Sequence, residues 1–170
     1  MYHKDTEFRD DHTPLAFLIA FGCYGTWLHG DKRGAVDRYH NRYGTPRIPR
    51  NDQWRDYNRR MLKYPPAKLN SRRRKAVAEA IRETCSFRKW SLWVQSVRTN
   101  HVHAVVTAHC DPERVLNAFK ANATRKMRES GCLGNGKPWA EGGSKKRLWT
   151  EKDVIEAIVY VEYEQGEPLP

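Results

Sequence analysis

Asn100-His101-Val102-His103-Ala104-Val105-Val106 follows an apolar run, Ser91-Leu92-Trp93-Val94-Gln95-Ser96-Val97, across a short link. The pair reads as a β-hairpin whose second strand opens with the histidines. Side chains alternate along a strand, so His101 and His103 share one face and Val102 takes the other. At a rise of about 3.3 Å per residue the two imidazoles stand about 7 Å apart, close enough to converge on one metal ion. On these residues alone, a pair of solvated strand histidines is the competing reading.

Outward from the hairpin, the flanking segments read as helices. Asp111-Pro112-Glu113 combines an N-cap carboxylate, proline at the first helical position and an acid in the first turn. Val115, Phe119, Ala123 and Met127 then form a buried stripe, and Gly131 ends the helix. Lys120, Arg125 and Lys126 lie off that stripe with Arg128, where they meet either nucleic-acid phosphates or water. Before the hairpin, Val77, Ile81 and Cys85 recur every four residues in a helix from Ser71 to about Arg88. Its first turn holds Arg72-Arg73-Arg74-Lys75, and cations there oppose the helix dipole by a few tenths of a kcal/mol each, roughly. Either an anion or solvent faces them.

The ends complete the pattern. Leu15-Ala16-Phe17-Leu18-Ile19-Ala20-Phe21, bounded by Pro14 and Gly22, reads as a buried strand. Residues 131–147, rich in glycine, lysine and arginine, read as a flexible loop, and Leu148-Trp149 as a short strand that closes the sheet. Thr150-Glu151-Lys152-Asp153 resembles a capping box with Asp at its third helical position. The last helix then runs to about Gln165 with Val154, Ile155, Ile158 and Val161 inward, which puts Tyr160 almost opposite the apolar face. Residues 32–70 read as an irregular insertion in which arginines interleave with tyrosine and tryptophan, as a groove that tracks a nucleic-acid strand would need. Without the insertion the order is β-α-β-β-α-β plus one C-terminal helix: an α+β, ferredoxin-like antiparallel sheet in a single domain over residues 1–170.

Composition narrows the function. Lys and Arg total 31 against 20 Asp and Glu, a net charge of +11, which implies an acidic partner. Six Trp and eight Tyr favour nucleic acid, because bases stack on aromatic rings while cations hold phosphates. Cys23, Cys85, Cys110 and Cys132 form no Cys-x-x-Cys pair, which argues against a disulfide or zinc framework. No apolar stretch approaches the roughly 20 residues of a membrane span, and residues 1–13 are too charged for a signal peptide. The expectation is a cytoplasmic protein with no membrane partner.

Thr99-Asn100-His101-Val102-His103, Tyr24-Gly25-Thr26-Trp27-Leu28-His29-Gly30-Asp31, Leu148-Trp149-Thr150 and Ala157-Ile158-Val159-Tyr160-Val161 together resemble the single-tyrosine HUH transposases of bacterial insertion sequences, and most of all the REP-associated tyrosine transposases. The resemblance spans most of residues 15–166, with the insertion least matched. It implies cleavage and rejoining of single-stranded or hairpin DNA through a 5′-phosphotyrosine, with Mg²⁺ or Mn²⁺ as cofactor. It also implies Tyr160 as nucleophile, His101 and His103 as metal ligands, and a homodimer as one form of assembly. The family often carries Gln or Asn four residues after the tyrosine, whereas that position here is Glu164 and Gln165 follows it. Helix geometry favours Glu164 as third ligand and residue type favours Gln165, which is taken here. Tyr163 stands as the reserve nucleophile. The alternatives from other classes are a non-catalytic ferredoxin-like nucleic-acid-binding module and a metal hydrolase that works through water alone.

Overall fold

The structure is a computed structural model that describes residues 13–26 and 51–164. Along the described chain the elements are β1 (Ala16–Gly22), α1 (Asp52–Arg60), α2 (Ser71–Arg88), β2 (Ser91–Val97), β3 (His101–Thr107), α3 (Pro112–Glu129), β4 (Ser144–Leu148) and α4 (Glu151–Tyr163). The strands form one sheet in the order β2-β3-β1-β4, and every neighbouring pair is antiparallel. β1 and β2 therefore run in the same direction on either side of β3. This is the expected ferredoxin-like α+β arrangement, with α4 added.

The sheet is covered on both faces. Phe17, Ile19, Phe21, Val102, Ala104 and Val106 pack with the buried stripes of α2 and α3, among them Val77, Ile81, Phe119 and Met127. On the other face Ala16, Val105 and Leu148 pack with Ala157 and Val161 of α4. A strand buried on both sides has no polar face to display, so β3 reads as a nearly continuous apolar run after His103. In β2 the register slips between Leu92 and Val94, leaving Trp93 as a bulge. Leu92 then faces α2 opposite Val106, while Val94 faces α4 opposite Val105.

Several boundaries differ from the sequence expectation. The strand placed at Leu148-Trp149 is a five-residue strand, Ser144–Leu148, which takes the end of the expected loop. Its lysines and arginine masked it: β4 is an edge strand, where charged side chains are tolerated because one side meets no neighbour. The insertion read as irregular contains α1, started by Asn51, whose side chain accepts from the Trp54 N–H, and supported by the Arg55–Asp52 ion pair at 3.2 Å. Its residues 32–50 lie outside the described residues, as does Trp27-Leu28-His29-Gly30-Asp31. The cations at the start of α2 are met partly from within. Arg72 donates to the Ser130 carbonyl, Arg73 to those of Cys132 and Lys68, and Arg74 to that of Leu69. Carbonyl oxygens thus meet part of the positive charge for which an anion and solvent were the two readings.

The glycine-rich segment before β4 is fixed by close contacts. Trp139 is buried, donates from Nε1 to the Lys120 carbonyl and Thr124 Oγ1, and meets the Phe21 ring edge-on at 4.8 Å. Gly143 has φ +155°, and a Cβ there would lie 2.6 Å from the Ala20 carbonyl oxygen and 3.0 Å from Leu116 Cδ1. Both the conformation and the space exclude a side chain. Gly143→Ala is expected to lower the unfolding free energy by about 2–4 kcal/mol in urea denaturation; an unchanged midpoint would contradict this packing.

Candidate functional site

The site is built on the α4 face of β3. His101 pairs with Gly22 and His103 with Ala20 of β1, while Ser96 of β2 pairs with His103 on its other side. Ala20 pairs in turn with Ser144 of β4. The strand neighbours of the two imidazoles are therefore all small residues. The two rings lie 5.1 Å apart, centroid to centroid, at 84°. That is the shared face expected from strand alternation, with the rings inclined toward each other. His103 is buried at 8% exposure and His101 is half-buried, so the pair is not a solvated one.

Asn100 supplies a feature that the sequence reading gave no role. Its Oδ1 lies 2.7 Å from His101 Nδ1. An amide oxygen only accepts, so Nδ1 is the donor in this contact. Ligating histidines commonly have their second nitrogen fixed in this way. The available signal was an amide next to the first histidine, visible in the sequence but meaningful only once the turn folds it back.

α4 brings the tyrosine. Thr150 Oγ1 accepts from the Asp153 N–H and the Asp153 carboxylate accepts from the Thr150 N–H, completing the capping box expected from the sequence. The Thr150 hydroxyl and amide hold the Asp153 carboxyl below the usual carboxylate range. From this start, Ala157 and Val161 reach the sheet and are buried, flanked by Val154 and Ile158. Ile155, expected inward, is 61% exposed. Exchanging Ile155 for Ala157 rotates the inward face by roughly 40° toward Tyr160, given about 100° per residue. Tyr160 therefore lies on the flank of the helix next to the sheet, not opposite it. Its ring packs against His103 with centroids 5.7 Å apart at 85°.

The other expected residues separate. Tyr163, the reserve nucleophile, is 71% exposed. Glu164 is the exposed C-cap of α4, with its N–H donating to the Tyr160 carbonyl, and Gln165 lies outside the described residues. Among the described residues no group of three or more His, Cys, Asp or Glu is placed to hold a metal ion. The histidine pair thus offers two nitrogen donors on one face, fitting a divalent ion that takes its other positions from elsewhere. Cys23 is free, buried, and pushed up to about 12 by burial, so it is an inert core thiol.

Lys120, Arg125 and Lys126 of α3 each have a partner within the protein. Lys120 donates to the carbonyls of Ala140 and Gly142, and Lys126 to Glu83 at 2.6 Å. Arg125 lies 3.9 Å from Glu129. Burial pushes the Lys120 ammonium below its ordinary range. No helix among the described residues is long and apolar enough to cross a membrane.

No protein-family model and no curated protein matches the chain. Among solved structures, the chain is similar to a REP-associated tyrosine transposase bound to a REP hairpin, with a TM-score of 0.50 and 10% identity over 88% of this chain. The chain spans 65% of that protein's length. It is also similar to a candidate transposase from Deinococcus radiodurans R1, with a TM-score of 0.44 and 12% identity, covering 91% of this chain and 93% of that one. The first likeness shows a shared fold, as the α+β topology and the added helix suggest.

The Asn100 contact yields a direct expectation. In ¹⁵N spectra of the metal-free protein, neutral His101 carries its proton on Nδ1, and Asn100→Ala shifts the population toward the Nε2–H tautomer. The same tautomer ratio in both proteins would remove Asn100 from the site.

Proposed function

We propose that the protein is a tyrosine transposase-type enzyme that nicks and rejoins single-stranded DNA through a 5′-phosphotyrosine intermediate. The observation that carries this reading is the ring sequence Tyr160–His103–His101, in which a phenol on α4 lies beside two imidazoles on one face of β3. The shared fold with a REP-associated tyrosine transposase and the +11 charge support it. That relative is bound to a REP hairpin, so a DNA strand flanked by a hairpin is the proposed substrate class.

In this reading His101 and His103 hold Mg²⁺ or Mn²⁺, with Gln165 as the proposed third protein ligand. The bound ion supplies charge neutralisation at the scissile phosphate and polarises its oxygens. Tyr160 Oη forms a bond to phosphorus as the P–O3′ bond breaks; the phenol proton passes by way of solvent to the departing 3′ oxygen. The covalent intermediate keeps one phosphoester bond for each one broken, so the reverse attack by a 3′-hydroxyl rejoins DNA without ATP. Asn100 holds the His101 ring, and the residues that pair around the imidazoles, Ala20, Gly22, Ser96 and Ser144, are small. A DNA substrate of this kind is in keeping with a location in the cytoplasm.

Incubating the protein with labelled single-stranded DNA and Mn²⁺ is expected to give a covalent adduct on a denaturing gel. Tyr160→Phe is expected to reduce it by at least about 100-fold, and His101→Ala or a chelator to do likewise. An undiminished adduct in Tyr160→Phe, or cleavage without any adduct, would contradict the proposal.

A further inference from the structure

Helix α4 is apolar on two sides. Ala157 and Val161 take the sheet. At about 100° per residue, Ile155, Val159 and Tyr163 fall on the opposite side as a second stripe, about 12 Å long at 1.5 Å per residue. All three are exposed, at 61%, 43% and 71%. One edge of this stripe carries Glu151 and Glu162, while on the other Lys152 is met by Glu156 at 3.8 Å. The outer face of α4 is therefore apolar with a net negative border, in a chain whose net charge is +11. Helix α1 has the complementary character. No residue of α1 is buried, and Trp54, Tyr57 and the C-cap Met61 form an exposed stripe about 10 Å long at the same rise. The acids of α1, Asp52 and Asp56, are both held by Arg55 at 3.2 Å, so its last turn adds the positive charge of Arg59 and Arg60.

We propose that α1 of one copy of this chain docks on the outer face of α4 of a second copy, in a twofold dimer that makes the contact twice. The stripes match in length and both consist of large apolar side chains. Their borders are opposite in sign, so seating one on the other removes apolar surface from water and brings Arg59 and Arg60 toward Glu151 and Glu162. The acidic border decides the class of occupant. It repels the phosphates of nucleic acid and of an anionic membrane surface, and it attracts a cationic amphipathic helix. The chain itself carries such a helix, present in the same amount as its acceptor. One helix-on-helix contact alone is small, and twofold symmetry doubles it toward the roughly 1,200 Å² at which specific interfaces begin. The docked helix covers the outer side of α4, whose flank carries Tyr160 beside His103. In the dimer α4 lies between its own sheet and the partner. Nothing in this contact depends on the reaction proposed above.

Sedimentation velocity of the full chain over a concentration series, without DNA or metal, tests this. The unaltered protein is expected to pass from monomer to dimer as concentration rises. Tyr57→Glu on α1 and Val159→Lys on α4 are each expected to weaken the dimer by at least about tenfold, with thermal midpoints unchanged because both positions are exposed. Mixing the two variants is the decisive arm. The first keeps an intact α4 and the second an intact α1, so one native contact forms, and the introduced glutamate and lysine face each other in the other. A one-to-one heterodimer tighter than either variant alone is the expected result. An unaltered chain that stays monomeric throughout, as it would if α1 seats on its own α4, overturns the proposal. A dimer that survives both substitutions, or a mixture in which association is not restored, as in pairing of α4 with α4, overturns it too.

Discussion

Helix α4 is held against the sheet by Ala157 and Val161, both buried on Ala16, Val105 and Leu148. Full burial of a side chain such as Val161 contributes roughly 1.5–3 kcal/mol, and alanine at 157 lets the helix axis come close. The capping box fixes where α4 begins, and the two buried positions fix its rotation. Once both are set, Tyr160 has only one place to go: the flank of the helix beside His103. The phenol is thus positioned by the apolar packing of Ala157 and Val161 on its own helix.

The sheet makes the matching contribution. β3 is central, paired on both sides, so its backbone is held by ladders to β1 and β2 and its histidines stand on a rigid support. The residues opposite them, Gly22 and Ala20, are the smallest available, and the same row continues to Ser96 and Ser144. A rigid floor of this kind keeps two imidazoles in fixed relation. Charge is organised around this frame. Arg72, Arg73, Arg74, Lys120 and Lys126 tie segments together through carbonyls and Glu83, while Lys75 and Arg82 line, with Arg74, a groove between α2 and β2.

Much of this was legible in the sequence because it depends on local periodicity and on signals at element ends. The hairpin, the Asp111-Pro112 start of α3, the span of α2 and the capping box of α4 all stand where their residues put them. What the sequence concealed depends on neighbours distant in the chain. β4 was hidden because its side chains are charged and only pairing with β1 makes it a strand. Tyr160 was read as opposite the apolar face because Ile155 is the more hydrophobic choice; the sheet selected Ala157, whose value is its small size. Asn100 was in plain view, yet its bond to His101 exists only in the folded turn. The lysines of α3 were visible as charges, but their partners Glu83, Ala140 and Gly142 come from other elements.

The central claim is that His101, His103 and Tyr160 converge on one ion-binding point. Paramagnetic relaxation by Mn²⁺ tests it most directly in the intact protein. Titration with Mn²⁺ should broaden the ring resonances of His101, His103 and Tyr160 first and together, leaving those of Tyr57 and Tyr64 sharp until the ion is in excess. Broadening that spares the two histidines, or that reaches them without Tyr160, would contradict the account.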